Sequence, residues 1–265
     1  MRLKDKIAII TGGGRGIGKA IAMAFSSEGA VIVVAATTLT RLEETVEEIK
    51  RQGREAMAIQ MDLRDENQVV QMVDRVVKTY GRIDILVNNS GIGGPTVSVV
   101  DMKLEDWNEV LNIDLTGSML CCREVLKHMI PRKSGVIINL AAEGGRAGDG
   151  RGGYAMRSPY CCAKMGIIGL TETLSVEVGE YNIRVNAISA AAVRGERMEN
   201  MVRKRAEATG VPFEKLMGQI VHNYSLKRPA EEYELASCAV FLASDESSAI
   251  TGQTIVNHCG QHIFH

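Results

Sequence analysis

"TGGGRGIG", residues 11–18, decides the fold of this chain. It lies between an aliphatic run, Ile7–Thr11, and an amphipathic stretch at 17–27. Glycines at 12, 16 and 18 permit a tight turn, a close approach of backbone to a phosphate, and tight packing of the next helix on the strand. A helix opening there directs its free N–H groups and positive dipole end at an anion. Any tight turn collects glycines, but this one stands where a strand feeds a helix. It reads as a dinucleotide turn, with Gly12, Arg15, Gly16, Ile17 and Gly18 as candidate cofactor-binding residues.

Outward from that turn, short aliphatic runs alternate with amphipathic stretches. The runs are Ile7–Thr11, Val31–Ala36, 56–62, 83–89, Gly135–Ala142 and 183–189. Most are apolar at nearly every position, as strands covered on both faces of a parallel sheet must be. Helical spacing falls between them at 17–27, Leu39–Arg51 and Glu66–Tyr80. The alternation predicts an α/β chain with a Rossmann-type, doubly wound parallel sheet and right-handed crossovers. No Pro- or Gly-rich linker and no internal repeat divides it, so residues 1–265 read as a single dinucleotide-binding domain. Two stretches interrupt the rhythm: a Gly/Arg-rich loop at 143–158 with Arg146, Arg151 and Arg157, and a charged helical excursion at 190–224. Both belong at the carboxyl ends of the strands, where ligands bind in such folds.

Composition narrows the partners. The chain has 265 residues, 45% hydrophobic and 24% charged, with a formal net charge of −1. That balance gives no general attraction to nucleic acid or to a membrane surface. No apolar run approaches the roughly 18 residues of a membrane span, and "MRLKDKIAII" has no signal-peptide pattern, so the expected location is cytoplasmic. The six cysteines include the adjacent pairs Cys121-Cys122 and Cys161-Cys162, which do not give zinc-ligand spacing. They read as small buried side chains, and no metal site is expected.

A second motif carries chemistry. Tyr160 and Lys164 stand four apart, on one face of a helical pattern, so an ammonium can lower the phenol's pKa. Together with Thr11-Gly12-x-x-x-Gly16-x-Gly18, Asp62, and "NNSG" at 88–91, this set resembles the short-chain dehydrogenase/reductase family over essentially the whole chain. The resemblance implies NAD(P) as cofactor, with Asp62 holding the adenine amino group and Asn89 supporting the cofactor site. It implies Tyr160 as proton donor and acceptor, and Lys164 as its activator and the holder of the nicotinamide ribose.

The same resemblance exposes departures. Ala142 falls where the family carries a catalytic Ser, and Asp114 where it carries an Asn, with Asn112 two residues early. Ala190-Ala191 replaces a Pro-Gly turn beside the nicotinamide. At the end of the second strand, Ala36 and Thr37 encode neither the acidic residue of NAD binding nor the Arg of NADP binding. Arg15 would favour NADP, or is simply solvated. A donor from the loop, Tyr154 or Ser158, could stand in for the absent hydroxyl.

Three readings remain open. In the first, the chain is an impaired subunit, the structural partner of an active paralogous dehydrogenase. It would pair through helices at 106–130 and 159–180, where Gly166 and Gly169 allow close packing. In its departures it resembles the non-catalytic subunit of two-subunit hydroxyacyl-CoA-type dehydrogenases of anaerobic benzylsuccinate degradation, and the loop arginines would suit a small acidic or CoA-linked ligand. In the second, it is an active alcohol/ketone oxidoreductase with a rearranged proton relay. In the third, it is a nucleotide-sensing regulatory protein.

Overall fold

β1 (Ile7–Thr11) is buried at every position because apolar side chains cover it above and below. In the computed structural model, which describes residues 1–142, 154–222 and 224–261, β1 lies inside a seven-stranded sheet. The other strands are β2 (Val31–Ala36), β3 (Ala56–Gln60), β4 (Ile85–Asn88), β5 (Gly135–Ala142), β6 (Ile183–Ala190) and a last edge strand (Thr254–Asn257). All pairings are parallel, in the order β3-β2-β1-β4-β5-β6 and then the edge strand. Two further short strands, β7 (Val193–Arg194) and β8 (Ala230–Glu231), pair with each other, so the edge strand is β9.

Helices cover both faces, as the sequence predicts. α1 (Gly16–Ser27), α2 (Leu39–Arg51) and α9 (Glu232–Ala243) bury Ile21, Phe25, Leu42 and Val240 against Ile10, Ile138 and Ile188. On the other face, α3 (Glu66–Tyr80), α5 (Gly117–Arg132) and α6 (Ser158–Val178) bury Val73, Val125 and Leu174 against Ile9, Leu86 and Val185. Ile9 and Ile10 serve opposite cores because successive strand side chains alternate. The strand order reverses between β1 and β4. Their carboxyl ends, Thr11 and Asn88, open the crevice in which such sheets bind ligands.

Some boundaries differ from expectation. β3 stops at Gln60 and β4 starts at Ile85, shorter than the apolar runs, while β6 continues to Ala190. The helix expected at 106–130 is α4 (Leu104–Leu111), one π-helical turn at Asn112–Thr116, then α5. Periodicity does not reveal such a turn, since one added residue leaves the pattern on either side intact. The excursion at 190–224 holds β7, α7 (Glu196–Thr209) and α8 (Phe213–Val221), whose Met198, Val202 and Leu216 make a small core of their own. Of the cysteines, Cys121 and Cys122 are buried as expected. Cys161, Cys238 and Cys259 are half-buried and Cys162 is exposed, so the all-buried reading is corrected. No described helix is long and apolar enough to cross a membrane.

Candidate active site

The turn after β1 is built by crowding. Gly12 and Gly16 have φ of 67° and 57°, a region costly for side chains. A Cβ on Gly18 would strike the Gly12 carbonyl and the Asn89 amide. Asn89 staples the turn: its Nδ2 donates to the carbonyls of Thr11 at 3.0 Å and Gly12 at 3.3 Å. Thr11 Oγ1 in turn accepts the backbone N–H groups of Asn89 at 3.0 Å and Ser90 at 3.1 Å. α1 starts after Arg15 with no side-chain cap and no acidic residue in its first turn. Its first N–H groups, with Ile17 among them, are free for a ligand, and this cradle fits a dinucleotide pyrophosphate.

Around the cradle, the expected contacts sort unevenly. Arg15 is exposed, as are Thr37 and Thr38 after β2, and Ala36 is half-buried. Asp62 is already engaged by Arg64, whose Nε donates to both its carboxylate oxygens at 3.0 Å. That hydrogen bond holds the Asp62 carboxyl below its ordinary value. An adenine amino group at Asp62 would share the carboxylate with Arg64.

At the other end of the crevice, Lys164 is buried, with Nζ 3.0 Å from the Leu140 carbonyl and 3.5 Å from Asp114 Oδ2. Asp114 is fully buried on the π-helical turn and accepts the Ile92 N–H at 2.7 Å. Asn112 faces solvent on the same turn. The bulged turn therefore selects the carboxylate, not the nearby amide, to face Lys164. Ala142 is buried at the end of β5, beside Ala190 of β6 in the ladder. Neither methyl group can donate a hydrogen bond.

Tyr160 lies half-buried on α6, with Lys164 Nζ 5.8 Å from its ring centroid. Arg157 is closer, its guanidinium carbon 4.8 Å from the same centroid, and its Nη2 donates to the Gly93 carbonyl at 2.9 Å. Tyr154 stacks on Tyr160 with centroids 6.5 Å apart. Ser158 opens α6, and its buried hydroxyl has no hydrogen-bond partner among the described residues. Sequence reading took Arg157 for a loop residue and missed this stacking; an Arg three residues before the Tyr, one helical turn away, is the only signal. Residues 143–153, with Arg146 and Arg151, lie outside the described residues. Among the described residues no cluster of His, Cys, Asp or Glu is placed to hold a metal ion.

Beneath the site, Asn88 Nδ2 donates to Asn139 Oδ1 at 2.9 Å, and Asn139 Nδ2 donates to Thr171 Oγ1 at 2.9 Å. This ladder ties β4, β5 and α6 together below Tyr160 and Lys164.

Residues 12–262 match the protein family described as enoyl-(acyl carrier protein) reductase. The chain is 34% identical over 255 residues to 3-oxoacyl-(acyl-carrier-protein) reductase FabG of Thermotoga maritima, covering 96% of this chain and 97% of the relative. It is 33% identical to meso-2,3-butanediol dehydrogenase of Serratia marcescens, covering 96% and 94%. Among solved structures it superposes on levodione reductase with a TM-score of 0.91, at 31% identity and 98% coverage of both chains. It also superposes on an NAD+-bound xylitol dehydrogenase with a TM-score of 0.89, at 30% identity and 97% and 98% coverage.

The chain belongs to the short-chain dehydrogenase/reductase family. With it comes the class, an NAD(P)-dependent oxidoreductase. When bound, NAD(P) supplies the hydride donor or acceptor in this family. For that work a short-chain dehydrogenase needs a proton-active group and a steadying donor near one oxygen. Here the described residues offer Tyr160 for the first, and no hydroxyl at 142 for the second.

Proposed function

We propose that this chain is a short-chain dehydrogenase-type subunit whose own site is impaired. It holds NAD(P) through Gly12, Gly16, Ile17, Gly18 and Asn89, and it acts as structural partner to an active paralogous subunit. Together the two form an alcohol or hydroxyacyl-CoA dehydrogenase, of the kind used in benzylsuccinate degradation. The observation that carries this reading is the Asp114 carboxylate 3.5 Å from Lys164. A lysine favours phenolate through its net positive field, and a carboxylate at that range cancels most of the field. The hydroxyl missing at Ala142 compounds the loss, since one absent oxyanion donor typically costs about 100- to 1000-fold in turnover. Relatives named for 3-oxoacyl thioesters and for a secondary alcohol support the substrate class.

The outer surfaces of α5 and α6 support the partner. A groove of about 450 Å³ runs between them, lined by Met119, Leu126, Ile130, Leu170 and Leu174. Gly169 beside it is exposed, with nothing within 4 Å of where a Cβ would stand. Gly166, by contrast, is packed against Leu115 of its own chain, so it does not serve the interface. Native mass spectrometry from the source cell tests the reading: it should recover this chain with a paralogue, and Gly169→Glu should release it without lowering the monomer's melting temperature. Recovery only as a homo-oligomer with a turnover near the roughly 10 per second typical of enzymes would overturn it.

One observation favours a second reading. Arg157 stacks on the Tyr160 ring more closely than Lys164 does, and could supply the positive field that Asp114 removes. The chain would then be an active oxidoreductase with a rearranged relay. Its activity would fall with Arg157→Leu.

A further inference from the structure

The carboxyl of Glu232, the first residue of α9, reaches the dinucleotide turn from the opposite side of the crevice. Its Oε1 lies 3.6 Å from the place a Cβ on Gly16 would take. The same oxygen fills the space beside Gly195, where any Cβ would strike it. Gly195 joins β7 to α7, on the segment that crosses the crevice after β6. Gly195 thus leaves room for the carboxyl group, which comes to van der Waals range of Gly16 at the edge of the cradle that fits pyrophosphate.

Its neighbours on the chain are all engaged. Glu231 accepts from Arg194 Nε at 2.8 Å, and Glu234 takes both Arg228 nitrogens, at 2.7 and 2.8 Å. Glu232 has no hydrogen bond or ion pair among the described residues. It is half-buried, and burial, reinforced by the adjacent Glu231, raises its proton affinity. No described cation answers it from the elements packed around it. Just before α1, Arg15 is exposed and makes no ion pair with Glu232 among the described residues, and on α1 Lys19 is taken by Glu48 at 2.7 Å. On the β7 side, Arg194 is held by Glu231, and Glu196 at the start of α7 is exposed. The end of β6 contributes Ala190, and the half-buried thiol Cys259 packs beside Ala230 and Leu235 without adding a cation.

We propose that Glu232 is a carboxyl gate on the pyrophosphate site: protonated, it admits and donates to a phosphate oxygen, and ionised, it opposes the phosphates, so that binding a dinucleotide takes up a proton. An unpaired carboxylate set against a doubly charged pyrophosphate is repelled, whereas the neutral acid supplies one O–H donor. The gate rests on the reading that the turn at 11–18 binds NAD(P), and it concerns binding, whatever the chain's turnover.

Calorimetric titration of the full chain with NAD and with NADP tests it, from about pH 5.5 to about pH 8.5. Paired buffers of different ionisation enthalpy measure proton uptake. In the wild type, affinity should weaken with rising pH, approaching about tenfold per pH unit above the carboxyl's titration. Glu232→Gln should bind tighter at the alkaline end, with a flatter profile and about one proton fewer taken up, for both cofactors. Judging the difference between the two proteins cancels titration of the NADP 2′-phosphate. Glu196→Gln, an exposed carboxylate nearby, should behave as wild type. If Glu232→Gln binds with the wild-type slope and proton uptake, the gate is wrong and the cofactor reading stands. If neither protein binds either cofactor at any pH, both readings fall.

Discussion

Asp114 Oδ2 lies 3.5 Å from Lys164 Nζ, with both side chains shut away from water. Pairing satisfies two charges that would be expensive alone, and under the impaired-site reading it ties up the group that would activate Tyr160. Asp114→Asn with Ala142→Ser should therefore raise turnover of the isolated chain by about 100-fold or more on secondary alcohols or hydroxyacyl thioesters. In a complex with an active paralogue the same pair should change the rate little. Steady-state kinetics on both preparations decides it, and no gain in the isolated chain counts against an impaired site.

The same pair makes a stability prediction. Lys164→Met strands a buried carboxylate and should cost about 3–5 kcal/mol by denaturant unfolding. In an Asp114→Asn background the same change should cost much less, because no charge is left behind. The difference is the coupling of a double-mutant cycle, and a value near zero would show that the two charges do not interact.

Gly18→Ala should remove dinucleotide binding and cost about 1–3 kcal/mol of stability. Its Cβ meets the Gly12 carbonyl and the Asn89 amide, neither of which is a flexible chain end. Gly53→Ala, where nothing lies within 4 Å but φ is 71°, shows backbone strain without collision, whereas Gly18, inside α1, shows collision without a positive φ. Calorimetry and thermal unfolding on both variants read the two effects apart.

Hydrogen bonds from Arg228, and then from the Glu231 backbone, hold the Glu234 carboxyl down to about 2. A carboxyl depressed on folding adds stability above its ordinary value of about 4.3 and loses it as pH falls through the folded value. The melting-temperature gap between wild type and Glu234→Gln should be constant above about pH 5 and close progressively toward pH 2. A gap that widens on acidification would reverse the sign.

Much of the frame was legible because its signals are local. Ile7–Thr11, Val31–Ala36 and Gly135–Ala142 are apolar runs bounded by breakers, and Leu39–Arg51 and Glu66–Tyr80 keep helical spacing to their ends. The glycine turn was legible for the same reason. The π-helical turn at Asn112–Thr116 was not, although it decides that Asp114 and not Asn112 turns inward. Two-residue strands such as Val193–Arg194 carry too little pattern to stand out. Glu232 beside Gly16 was beyond reach, because only the packing of the last helix on the first brings them together.

Asn88, Asn139 and Thr171 form a chain of donors that runs one way, ending where Thr171 Oγ1 donates to the Ile167 carbonyl at 2.7 Å. Every amide in it has its orientation fixed by the next. Thr171 stands two helical turns beyond Lys164 on the same side of α6, so pinning one sets the azimuth of the other. The helix is indexed like a shaft keyed to its bearing, and the key sits in the sheet, away from Asp114 and Ala142. Side chains at 114 and 142 can then be exchanged without turning the helix, because neither belongs to this chain of donors.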